Sequence, residues 1–110
     1  MSIEHRKHHR YPVELAAEVD VRGEMLMAAT KNVSVEGVGL VCDRALPEGK
    51  VFLITLFLTQ DGIEDADEEP FEAKGVVQWS TEQDSGQWLS GVRFETLAGQ
   101  QTAQLERFLA

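Results

Sequence analysis

Five residues stand out for the chemistry that their types and spacing allow. Arg6 and Arg10 lie four apart in the basic run His5-Arg6-Lys7-His8-His9-Arg10, an RxxxR pattern. Asn32, Ser34 and Gly37 form NxSxxG within Asn32-Val33-Ser34-Val35-Glu36-Gly37. A guanidinium can set two parallel N–H donors on a phosphate or on the adjacent O6 and N7 acceptors of a guanine, and its flat face can stack on a purine. Lysine offers a point charge without that fork. The Asn32 amide oxygen can accept from a base edge, and Ser34 adds a short hydroxyl for a phosphate or base contact. Gly37, with no Cβ, lets the backbone turn sharply and lets a ligand come close. In an extended segment the Asn-x-Ser spacing puts Asn32 and Ser34 on one side.

These groups need elements to position them. Residues 1–11 are polar and have no helical or strand period, which predicts a flexible N-terminal arm with Pro12 opening the ordered body. Val13, Leu15, Ala17, Val19 and Val21 then alternate with mostly polar residues, the period of a half-buried strand. Gly23-Glu24 reads as a hairpin turn into a strand over 25–30, and Asn32 to Gly37 reads as the next connection. Val38 to Cys42 is a third strand. Leu46-Pro47-Glu48-Gly49 is a turn before Val51 to Leu58, which is apolar on both faces and therefore asks for cover on both. Asp61 to Glu69 reads as a long, solvated acidic loop. Phe71 to Ser80 and Gln87 to Phe94 complete the strands. Leu97, Gln101, Leu105, Phe108 and Leu109 then fall at three- and four-residue intervals, an amphipathic helix over 97–109 whose stripe can cover the second face of Val51 to Leu58. Six short strands followed by a helix predict an all-β domain with a C-terminal helix: a six-stranded antiparallel β-barrel over residues 12–110.

Composition narrows the function classes. The 110 residues suit one domain, and 43% hydrophobic content is that of a globular chain. The formal net charge of -9 disfavours nucleic-acid binding and adsorption to anionic membranes, both of which rest on basic residues. No apolar run is long enough for membrane insertion as a helix. The opening residues lack a secretory pattern, and Cys42 is the single cysteine; both point to the cytoplasm. The same absence argues against reading Asn32-Val33-Ser34 as a glycosylation acceptor. Charge is segregated: residues 5–10 carry three full positive charges and no acid, so a small anion can be drawn there although the whole chain is acidic.

Other residues have plainer readings. Cys42 and Trp88 alternate with core positions and read as core. His5, His8 and His9 beside Glu4 have ligand-type side chains, but no helix is predicted to bring them together, so no metal site is assigned. The acidic loop lacks the oxygen-ligand spacing of a Ca²⁺ loop. No nucleophile elbow, phosphate-binding loop or metal-ligand motif occurs, so no enzymatic activity and no cofactor is read.

The two signatures, in this order and ahead of a strand-rich remainder, resemble those of the PilZ family, whose members bind the bacterial second messenger cyclic di-GMP. Arg6, Arg10, Asn32, Ser34 and Gly37 carry the resemblance. The turn Leu46-Pro47-Glu48-Gly49, Val76-Val77-Gln78-Trp79 and Gly91-Val92-Arg93-Phe94 add weaker matches. The resemblance implies a six-stranded barrel with a C-terminal helix, a ligand site made of those five residues, and Trp79 as a further residue that stacks on a guanine. It also implies an arginine arm that wraps over the ligand and changes the surface read by an effector protein. One or two nucleotides per chain, and a monomer or a homodimer, stay open. The alternative function is a nucleotide-independent protein-interaction adaptor on the same fold.

Overall fold

The computed structural model describes residues 9–60, 63–64 and 69–109. Strand β1 (Ala16–Val21) pairs with β2 (Glu24–Val33), and β2 with β3 (Gly37–Cys42). Then come β4 (Val51–Leu56), the short ribbon β5 (Thr59–Gln60) and β6 (Ile63–Glu64), β7 (Phe71–Glu82), β8 (Trp88–Phe94) and helix α1 (Gly99–Leu109). Six strands close into an antiparallel barrel in the order β1-β2-β3-β8-β7-β4. This is the fold class that the pattern predicts.

Alternation decides what fills the barrel. Leu15, Ala17 and Val19 point inward, as do Phe52, Ile54 and Leu56, and Val92 and Phe94. One inward row runs across four strands as Val33, Val38, Val92 and Val77, all essentially fully buried. Phe71 and Phe94 meet at 5.4 Å between ring centroids at the end closed by the helix. Each such side chain contributes about 1.5–3 kcal/mol of burial. Cys42 is buried, donates from Sγ to the Arg44 carbonyl at 3.0 Å, and has its thiol pKa pushed up, first by burial.

Several boundaries differ from the sequence reading. The β1–β2 turn is Arg22-Gly23 rather than Gly23-Glu24, since Val21 pairs with Glu24. Arg22 and Gly23 both adopt positive φ (54° and 87°), the requirement of a two-residue turn whose twist matches the strands, and Asp20 Oδ1 accepts from the Gly23 amide at 2.8 Å. Strand β2 runs on through Asn32 and Val33, so the first half of NxSxxG lies in a strand and only Ser34 to Glu36 connect. Within the expected acidic loop, Ile63–Glu64 pairs with Thr59–Gln60; residues 61–62 and 65–68 lie outside the described ones.

The helix forms, but it does not cover β4. Its contacts fall on β7, and Leu105 is fully buried while Leu97, Phe108 and Leu109 pack partly against the core. Gln101 explains the placement. Its Oε1 accepts from the Ala98 amide at 2.7 Å, half of a capping box, while its Nε2 donates to the Glu72 carbonyl at 2.7 Å. Gln104 repeats the link to the Glu69 carbonyl. The second face of β4 stays in solvent, with Val51 46% and Leu53 41% exposed. Among the described residues no helix is long and apolar enough to cross a membrane.

Candidate ligand-binding site

The chain enters the site along β2. Tyr11 exchanges both backbone hydrogen bonds with Val33, at 2.9 Å each. The Thr30 hydroxyl donates to the Val13 carbonyl and accepts from the Leu15 amide at 2.8 Å. Residues 11–15 are thus laid against β2, and the placed chain reaches back past Pro12. His9 packs edge-on to Tyr11. Arg10 then stands beside Asn32, and its Nη1 donates to Asn32 Oδ1 at 2.9 Å. Arg6 lies outside the described residues.

Two bulges aim the side chains. In β2 the register shifts between Thr30 and Asn32, and in β7 between Val77 and Trp79. Each inserts one residue, Lys31 or Gln78, so that an adjacent pair faces outward: Lys31 with Asn32, and Gln78 with Trp79. Asn32 then pairs with Gly39, Gly39 with Gly91, and Gly91 with Trp79. Residues directly opposite on paired strands share a face. The result is one outward row, Asn32–Gly39–Gly91–Trp79, spanning three strand spacings, or about 14 Å.

The middle of that row has no side chains, and its ends fold in. A Cβ on Gly39 would sit 3.1 Å from the Asn32 amide nitrogen, and a Cβ on Gly91 would collide with the Trp79 indole. Trp79 remains 44% exposed. Asn32 and Trp79 thus lie over the two glycines, which are buried beneath them, and the site is a shallow surface with a guanidinium and carboxamide at one end and an aromatic face at the other. Beside the Asn32 end an open trough of about 590 Å³ continues along the same surface, lined in part by Met27, Ala29, Lys31, Val41 and Asp43.

Ser34 and Gly37 hold the hairpin that carries Asn32. Ser34 is buried, its Oγ accepts from the Glu36 and Gly37 amides at 3.1 and 3.2 Å, and its amide donates to the Gly37 carbonyl at 2.9 Å. The strand ends at Val33, so Ser34 does not share the outward face of Asn32; its hydroxyl is occupied in the turn. Gly37 is pressed against β8, where a Cβ would collide with the Val92 carbonyl oxygen, and the Phe94 amide donates to the Glu36 carbonyl at 2.8 Å. Here glycine is required for close approach of two strands rather than for a positive φ.

The structure therefore brings together Arg10, Asn32 and Trp79, and sets Ser34 and Gly37 behind them. Gly39 and Gly91, which make room for Asn32 and Trp79, were missed as candidate site positions. The available signal was glycine at outward-facing strand positions, which marks a close backbone approach as readily as a bulge. Among the described residues no group of three or more histidine, cysteine or acidic side chains could hold a metal ion.

Comparison with known proteins identifies the architecture. The chain matches the Bacillus subtilis inhibitor of motility MotI/DgrA with a TM-score of 0.79 at 16% identity, over 96% of this chain and 49% of that one. The PilZ domain of Escherichia coli YcgR, solved with c-di-GMP, matches with a TM-score of 0.71 at 16% identity, over 94% and 88% of the two chains. K. pneumonia MrkH in its c-di-GMP complex matches with a TM-score of 0.73 at 14% identity, over 97% and 51%. The chain thus spans about half the length of MotI/DgrA and MrkH. No curated protein sequence matches. The PilZ domain family model matches residues 4–110, nearly the whole chain, and the protein belongs to the PilZ family.

Proposed function

We propose that this chain is a non-catalytic receptor for cyclic di-GMP that signals to an effector protein. The observation that carries the reading is the outward row with Arg10 and Asn32 at one end, Trp79 at the other and two glycines between. A flat ligand with two purines and two phosphodiesters meets three complementary surfaces there. The indole stacks a guanine, the glycines beneath let Asn32 and Trp79 lie low against the sheet, and the guanidinium forks onto a phosphate or the guanine O6/N7 edge. Asn32 accepts from the guanine N1–H or 2-amino group. Ser34 and Gly37 act by holding Asn32 in place. The YcgR and MrkH complexes with c-di-GMP, on the same fold, support the ligand class.

In this reading Arg6 joins Arg10 over the bound nucleotide, and residues 5–11 become part of a new surface. Ordering a segment over a ligand is an established way to pass a signal without chemistry. The output in this reading is contact of that surface with an effector protein.

Calorimetric titration with cyclic di-GMP, with GTP and cyclic di-AMP as controls, tests the proposal. Selective heat is expected, and its molar ratio reports one or two nucleotides per chain. Arg10→Ala should weaken binding by roughly tenfold or more, the loss of a charge-assisted hydrogen bond, and Arg10→Lys should not restore it. Absence of heat from folded protein would overturn the receptor reading.

A further inference from the structure

Resting on the receptor reading, we infer that Arg93 is a further phosphate-binding residue of this site, placed on the barrel wall rather than on the arm. Along β8 the side chains of Ser90, Val92 and Phe94 are buried, so Gly91 and Arg93 share the outward face. Two residues of strand separate them by roughly 7 Å, and side chains lean along the strand direction. Arg93 pairs with Gly37 on one side and Val76 on the other. It therefore stands in the outward row adjacent to the Asn32–Gly39–Gly91–Trp79 row, at the rim of the NxSxxG hairpin.

Its charge is uncommitted. Arg93 is exposed and makes no side-chain hydrogen bond or ion pair among the described residues. Glu36, Glu95 and Glu106 line a cleft of about 330 Å³ together with it, yet none is within ion-pair distance. In a chain of net charge -9, an exposed, unpaired guanidinium one row from Asn32 and Trp79 suits a dianionic ligand that arrives from outside. A nucleotide held by Asn32 and Trp79 would extend along β8 toward Arg93, where a fork can take two phosphate oxygens. Arg10 and Arg93 then grip the cyclic nucleotide from two elements, one a chain end and one a strand held in both of its pairings.

Cyclic di-GMP affinity of Arg93→Ala, Arg93→Lys and Arg22→Asn, each beside its melting temperature, tests this. Arg22→Asn removes the same charge roughly 25 Å away along β2, and asparagine tolerates the positive φ there. Arg93→Ala should bind about tenfold more weakly with an unchanged melting temperature, Arg93→Lys should be intermediate, and Arg22→Asn should match the parent. Parent-like affinity in Arg93→Ala, full recovery in Arg93→Lys, or an equal loss in Arg22→Asn would overturn the forked contact. A parent that binds no nucleotide removes the receptor reading itself, which is a different outcome from a parent that binds and an Arg93→Ala that binds equally well.

Discussion

At the scale of single residues, Trp79 depends on a neighbour with no side chain. The indole lies over Gly91, in space that any Cβ would enter. Gly91→Ala should therefore act on the ligand through Trp79: the ring tilts away while the barrel, whose core lies on the other face, keeps its fold. We expect a changed tryptophan emission and a loss of cyclic di-GMP affinity approaching that of Trp79→Ala, for which base stacking sets about 1–3 kcal/mol. An unchanged affinity in Gly91→Ala would show that the indole position is immaterial. Arg10 and Asn32 are legible as candidates from their types and spacing because polar side chains leave a mark in the sequence. Gly39 and Gly91 are not, because what they offer is the absence of atoms, and only the register that sets Asn32 and Trp79 over them gives that absence a shape.

At the scale of elements, the β2–β3 hairpin does the positioning. Ser34 satisfies two amides in a buried turn, and Gly37 lets β3 close against β8. Ser34→Ala leaves those donors without a partner and should cost about 1–3 kcal/mol, visible as a melting temperature lower by several degrees. Ligand affinity should fall with it, since Asn32 loses its frame. Loss of affinity with an unchanged melting temperature would instead make the hydroxyl a direct ligand contact. The two bulges belong to this scale as well. Nothing in the local pattern around Lys31 or Gln78 announces them. They arise because strands wrapped around a closed barrel must shift register somewhere, and the shift turns Asn32 and Trp79 outward together.

At the scale of the whole molecule, the strands close the barrel by themselves and α1 adds to its core. Leu105 is fully buried at the helix face that meets the core. Leu105→Ala should cost about 2–5 kcal/mol, measured by denaturant unfolding, with strand content retained in the folded fraction. A smaller cost would mean that the helix is peripheral to the barrel. The sequence reading assigned the same stripe to the outer face of β4, on the argument that a strand apolar on both faces needs cover. The hydrogen bonds from Gln101 and Gln104 to the β7 segment decide otherwise, and Val51 and Leu53 remain at the surface.

Local chemistry is written in the chain itself. The alternation of Leu15 to Val21, the three- and four-residue stripe of Leu97 to Leu109, and the charged and amide groups of RxxxR and NxSxxG each depend on neighbours a few residues away. The barrel and the helix followed from them, and so did the choice of Arg10 and Asn32 as candidates; Trp79 entered through the family resemblance. Contacts between distant segments are not written there. The pairing of Asn32 with Gly39 and of Gly91 with Trp79, the bulges that aim them, the burial of Ser34 and the seat of the helix on β7 are set by which strands meet and in what register. That choice is made by closing one core around side chains from every strand, and no local window of sequence contains it.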